Sequence, residues 1–136
     1  DDVLVIASNS GRNAYPVELA QCAKEKGARV IAITSIKHSS ATTSRAKSGK
    51  KLMDIADIVI DNCGELGDAC LAVEGCNVAM MPTSSIANTF IVQAISVLTA
   101  QYIAEKGGTP PVFISLNGLA KQNINDDLYQ KYTRLY

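Results

Sequence analysis

A three-layer αβα sandwich built on a mainly parallel sheet is the α/β architecture to which three features of this sequence point. Short continuous apolar runs recur along the chain, segments of helical periodicity separate them, and polar loops follow them. Strands buried on both faces of a parallel sheet read as unbroken apolar stretches, and intervening helices make the right-handed crossovers that parallel pairing requires.

The elements follow in order. Val3–Ala7 is the first strand, ended by the polar segment 8–13. Over 15–26, Val17, Leu19, Ala20 and Ala23 recur at helical spacing; Pro16 suits a first turn, and Gly27 behind Lys24 and Lys26 is a stop signal. Residues 30–34 form a second buried strand. The hydroxyl-rich segment 34–48, which contains His38, Arg45 and Lys47, lacks apolar periodicity and is a loop long enough to suggest function. A short helix over 50–56 and a third strand, Ile58–Asp61, come next. Gly64, Gly67 and Gly75 then punctuate two short apolar runs, 69–73 and 78–81, read as short strands or irregular segments. Thr83, Ser84 and Ser85 suit the cap of a long helix ending near Lys106, whose apolar positions include Ile86, Phe90, Ile91, Ala94, Ile95, Leu98 and Tyr102. Apolar residues lie on more than one side of it, as packing against both a sheet and a second subunit would require. Gly107 and Gly108 stop it, 111–115 is a last strand, and 126–135 is a terminal helix.

The chain has 136 residues, the size of one domain with room for a core, and shows neither an internal repeat nor a second domain. Hydrophobic residues make up 47% and charged residues 19%, with 13 basic residues balancing 13 acidic ones, which argues against disorder and against nucleic acid as a partner. Aromatics are only 5% with no tryptophan, against a base-stacking platform. The apolar stretch from Asn77 to Ile103 contains Pro82 and many polar residues and does not read as a membrane span. Cys22, Cys63, Cys70 and Cys76 form no CxxC pair and the single histidine, His38, is distant from them, so no metal site is expected. Cys22 reads as a small buried hydrophobe and the other cysteines as reduced packing residues, with the cytoplasm as the compartment. The sequence enters its first strand directly after Asp1 and Asp2, as a fragment or processed form would.

Ligands of open α/β sheets sit beyond the carboxyl ends of the strands, which directs attention to 8–13, 34–40, 62–68 and 115–118. The first of these has the best-defined chemistry. Ser8 and Ser10 supply hydroxyls, Gly11 permits close backbone approach, and the following helix directs free amides at the loop; together these form a cradle for an anion such as phosphate. The same residue types also populate an ordinary capped βα turn. The chain has neither GxxxxGK[ST] nor a GxGxxG after its first strand, so a P-loop nucleotidase and a dinucleotide fold are set aside.

The run Val3-Leu4-Val5-Ile6-Ala7-Ser8-Asn9-Ser10-Gly11-Arg12-Asn13 resembles the phosphate loop of the sugar isomerase (SIS) domain, an apolar strand followed by Ser-x-Ser-Gly-x-Ser/Thr. The strand 30–35 and the segment 52–60 are similar to that family's continuation. With His38-Ser39-Ser40, Ser48-Gly49-Lys50 and Pro110-Pro111-Val112-Phe113, they look closest to an uncharacterised bacterial branch described as phosphosugar isomerases. The resemblance covers about residues 3–115. It implies a Rossmann-like SIS domain that lacks its N-terminal portion, and a phosphosugar ligand whose phosphate is held by Ser8, Asn9, Ser10, Gly11, Arg12 and Asn13. Asn13 stands where the family has Ser or Thr. Thr34, Ser35, Thr83, Ser84 and Ser85 are the candidate sugar contacts.

Aldose-ketose isomerisation through an enediol requires a base that moves a proton between adjacent carbons and a group that protonates the ring oxygen. His38, Glu65 and Asp68 are the local candidates; Glu74 has no clear structural address. The expectation is a cofactor-independent phosphosugar isomerase, homodimeric and cytoplasmic, with no metal. Its alternatives are a non-catalytic sugar-phosphate sensor, such as the effector domain of a transcription regulator, and a lyase or etherase acting on an amino-sugar phosphate.

Overall fold

The computed structural model describes residues 2–115, 117 and 125–132. Two compact units divide the chain, Asp1–Val92 and Gln93–Tyr136. The first contains β1 (Val3–Ala7), α1 (Ala14–Glu25), β2 (Arg29–Thr34), α2 (Ile36–Ser40), a 3-10 turn at Leu52–Asp54, β3 (Ile58–Asp61), β4 (Ala69–Leu71) and β5 (Met80–Pro82). The structure is thus a mixed α/β arrangement, as the apolar runs foretold.

β1, β2 and β3 form one parallel sheet with β2 in the centre. The register runs from Val3 opposite Arg29 to Ala7 opposite Ile33, and from Ile31 opposite Ile58 to Thr34 opposite Asp61. Parallel, nearly flush strands release their chains on one edge. Ser8, Ser35 and Asn62, each the first residue after its strand, therefore leave the sheet side by side.

A small core holds this edge in place. Val30, Ala32, Ile6, Ala20 and Leu52 pack together, with Leu4, Ala23, Ile55 and Ala56 around them. α1 lies against β1 and β2 and meets the 3-10 turn. Only β2 is buried through most of its length; Val3 is 58% exposed and Ile58 55% exposed. The expectation that the first strand is buried on both faces is therefore corrected. Among the described residues β1 and β3 are the edges of a three-stranded sheet, each with a strand neighbour on one side only.

Asp57 pins the start of the central strand. Its carboxylate accepts a hydrogen bond from the Val30 amide (2.8 Å) and pairs with Lys24 of α1, while its own amide donates to the Val30 carbonyl (2.9 Å). The Lys24 hydrogen bond, followed by the Val30 amide, holds its carboxyl below the ordinary aspartate range. A depressed carboxyl contributes stability at pH values above its unfolded pKa and loses it as pH falls through the folded value. Urea midpoints of Asp57→Asn and the parent chain should thus differ at pH 7 and converge below about pH 4. A gap that stays constant down to acid pH would contradict this role.

The long segment after β2 is more ordered than its lack of periodicity suggested. Ser35 caps α2, its hydroxyl accepting from the His38 amide at 3.1 Å. The expected helix over 50–56 shrinks to the 3-10 turn, whose first residue, Leu52, is fully buried. β4 and β5 pair as an antiparallel hairpin, with Ala69 opposite Pro82 and Leu71 opposite Met80.

α3 (Thr83–Glu105) begins immediately after β5 and is 23 residues long. None of its residues is buried, and Phe90 is 73% exposed. By length and composition alone it could cross a membrane, with a mean hydropathy of 1.4 over an 18-residue window. Pro82 lies before the helix rather than inside it, so it does not interrupt this apolar stretch.

In the second unit, α4 (Asp126–Tyr132) covers the described part of the expected terminal helix. Residues 111–115 do not form a strand among the described residues. Pro110 and Pro111 lack backbone donors, and the side-chain amide of buried Asn125 takes the place of a neighbouring strand. It accepts from the Ile114 amide (3.0 Å) and donates to the Ile114 carbonyl (2.8 Å). Phe113 and Tyr129 stack with ring centroids 5.0 Å apart. The candidate ligand segment 115–118 and Leu135 fall partly outside the described residues.

Candidate functional site

The loop at 8–13 is a tight turn held from three sides. Gly11 donates its amide to the Ser8 carbonyl (3.1 Å) and adopts φ +57, a left-handed conformation that favours glycine. Its carbonyl accepts from the Leu52 amide (2.8 Å), and the Arg12 carbonyl accepts from the Arg45 amide (2.7 Å). On the sheet side, the Asn9 carbonyl accepts from the Ser35 amide (3.0 Å) and from the Thr34 hydroxyl (3.0 Å).

This fixed backbone presents donors without partners. Neither the Ser8 nor the Ser10 hydroxyl has a hydrogen-bond partner among the described residues. Asn9 Nδ2 and Arg12 Nε are shielded from water and also unpaired. α1 starts at Ala14 with Asn13 as its N-cap residue, but no side chain caps its free amides. Buried donors left unpaired are costly, and helix amides carry partial positive charge, so an anion is the group that would satisfy this set. Ser39 Oγ is a further fully buried hydroxyl without a partner, although its own surroundings are closed by Lys51 Nζ donating to the Ser39 carbonyl (2.7 Å).

The SIS domain family model matches residues 1–35. The matched segment of the SIS model contains β1, the donor-rich loop, α1 and β2. The chain is 43% identical over 133 residues to the UPF0309 protein BH3325 of Halalkalibacterium halodurans, covering 98% of this chain and 55% of that protein. It is 43% identical over 131 residues to the UPF0309 protein lin2794 of Listeria innocua, covering 96% and 53% respectively. The UPF0309 protein TTE0306 of Caldanaerobacter subterraneus subsp. tengcongensis is 42% identical over 135 residues, covering 98% and 55%. The chain thus spans about half the length of the curated relatives it matches.

Around the loop at 8–13, the other candidates fall into two groups. Thr34 and Ser35 are fully buried, and their hydroxyls donate to the Asn9 carbonyl and, at 2.6 Å, to the Gly64 carbonyl. In this structure they tie the loops together. Asn62 completes the tie: its Nδ2 donates to Asn9 Oδ1 (3.0 Å) and Asn88 Oδ1 (2.8 Å), and its Oδ1 accepts from the Gly64 amide (2.9 Å). Sequence reasoning did not single out Asn62, although its place directly after β3 is the signal.

The second group lies between α2 and the loop 62–68. His38 Nδ1 accepts from the Gly67 amide at 3.1 Å, which places the proton of the neutral ring on Nε2. Glu65 pairs with Lys37. Asp68, at φ 73, accepts from Ser84 N (2.8 Å), Ser84 Oγ (2.6 Å) and Thr83 Oγ1 (3.0 Å). Desolvation pushes its carboxyl up, but hydrogen bonds from Ser84 and Thr83 outweigh it and hold the group below its ordinary range. Asp68 is thus an ionised, fully engaged cap for the start of α3, and a weak base. Thr83 and Ser84 are its partners, while Ser85 is exposed and Glu74 sits in the turn between β4 and β5.

All four cysteines are free and exposed, including Cys22, which corrects its reading as a buried hydrophobe. α1 turns Val17 and Ala20 inward and leaves Cys22 on the outer face. Among the described residues no cluster of metal-ligating side chains occurs.

Proposed function

We propose that this chain is the phosphate-holding part of a SIS-type phosphosugar protein, with the ligand's phosphate on Ser8, Ser10, the Asn9 and Arg12 side-chain donors and the free amides of α1. What supports the reading is the coincidence of unpaired hydroxyls and shielded donors with the segment matched by the SIS model. In the finer reading, the whole protein is a cofactor-independent aldose-ketose isomerase of the phosphosugar isomerase branch, a cytoplasmic homodimer with a three-layer αβα domain. Neither nucleic acid nor a bilayer has a part in it.

His38 then serves best as a hydrogen-bond donor. With Nδ1 occupied by the Gly67 amide, it offers Nε2–H to a ring oxygen. Asp68 and Glu65 are committed to the α3 cap and to Lys37, so neither is a free base. That commitment favours a second reading, a non-catalytic phosphosugar sensor using the same loop.

Ser10→Ala should weaken binding of glucose 6-phosphate by about tenfold or more, because a hydrogen bond to a charged group is lost. Calorimetry measures it, and unchanged affinity would remove Ser10 from the site. The isomerase and sensor readings separate by proton NMR in deuterated water across a phosphosugar panel. Loss of the C2 proton signal indicates the isomerase; tight binding without exchange indicates the sensor.

A further inference from the structure

We propose that Arg45 is a specificity-determining residue of the loop at 8–13, selecting a doubly charged phosphate over a singly charged anion. The inference rests on the phosphosugar reading above and adds a residue from outside the segment that the SIS model matches.

Position comes first. The Arg45 amide donates to the Arg12 carbonyl at 2.7 Å, and nearby the Ala46 amide donates to Ser44 Oγ (3.0 Å), whose hydroxyl donates to the Lys50 carbonyl (2.7 Å). With Leu52 bonded to Gly11, the backbone carrying Arg45 is fastened to the phosphate loop at two points. From there Nη1 donates to Asn13 Oδ1 at 3.3 Å.

That bond orients the Asn13 amide. Its acceptor is turned to Arg45, so its Nδ2 donors are left for a ligand, at the position where Ser or Thr would present a hydroxyl. The Arg45–Asn13 pair consequently offers the site only donors and a positive charge.

Charge supplies the second argument. The ion pairs among the described residues are Lys24–Asp57 and Lys37–Glu65, so no carboxylate neutralises Arg45 or Arg12. A guanidinium beside the uncapped N-terminus of α1 faces the positive end of the helix, a repulsive arrangement that an anion between them reverses. The sequence reinforces it: every Asp, Glu, Lys or Arg from Lys26 to Lys51 is basic, and every one from Asp54 to Glu105 is acidic. Zero net charge thus conceals a positive stretch next to the loop. A positive field of this kind stabilises a dianion more than a monoanion of the same shape.

Calorimetry of the full chain at pH 8 and low salt, with glucose 6-phosphate and glucose 6-sulfate as probes, tests the proposal. The parent chain should prefer the phosphate by about tenfold, a typical worth for an added charge-assisted contact. Arg45→Gln should lose most of that preference, Arg45→Lys should keep part of it, and both should melt with the parent because the residue is exposed. If Arg45→Gln keeps the full preference while Ser10→Ala weakens both probes, the role given to Arg45 is wrong and the phosphate loop stands. If Ser10→Ala binds both probes as the parent does, the loop reading fails and the inference fails with it.

Discussion

Leu52→Ala should destabilise the first unit by about 3 kcal/mol, the usual scale for truncating a buried leucine that leaves a cavity. Leu52 is fully buried against Ile6, Ala20, Val30 and Ala32, and it is the residue through which the 3-10 turn enters the core. Urea unfolding measures the loss. A change below about 1 kcal/mol would mean that the site collapses around the smaller side chain. Because the Leu52 amide also holds the Gly11 carbonyl, this core residue couples stability to the shape of the loop at 8–13.

Gly11→Ala should cost about 2 kcal/mol and abolish phosphosugar binding. At φ +57 an alanine is strained, and its Cβ would lie 3.2 Å from Leu52 Cβ and 3.4 Å from Thr34 Oγ1. Relief requires the turn to open, which moves the Ser8 and Ser10 hydroxyls away from the start of α1. The double variant with Leu52→Ala is informative, because alanine retains the Cβ that meets the new methyl. The Gly11 penalty should therefore persist in that background. Its disappearance would show that the Leu52 side chain beyond Cβ, rather than backbone conformation and close approach, sets the cost.

Much of the first unit was legible because local chemistry and tertiary role agree there. Val3 to Ala7 and Arg29 to Thr34 are apolar runs that became adjacent parallel strands, and Ser8 to Asn13 is a polar loop at their carboxyl edge. What could not be read was burial. Val3 and Ile58 look like core residues, but a three-stranded sheet gives each a place on an edge. The segment 111–115 was misread because apolar character alone does not supply a ladder, and a side-chain amide from Asn125 does that task instead.

In the candidate site, residue types identified the donors but not their obligations. Thr34 and Ser35 read as sugar contacts because hydroxyls suit sugars, and Asp68 as a candidate catalytic group because it follows β3; the structure shows their polar atoms engaged with Asn9, Gly64 and the start of α3. Ser8 and Ser10 differ in having no such engagement. Arg45 was legible only as a member of the polar segment 34–48, because the balance of 13 basic and 13 acidic residues was taken as a whole, whereas its sign changes between Lys51 and Asp54.

The central claim, that the loop following β1 holds the phosphate, is tested most directly by amide chemical shifts of the full chain on titration with glucose 6-phosphate. The account predicts that the largest shifts fall on Ser8 to Tyr15, and that Ser10→Ala reduces them at equal ligand concentration. Saturable shifts centred elsewhere, with Ser8 to Tyr15 unmoved, would contradict it.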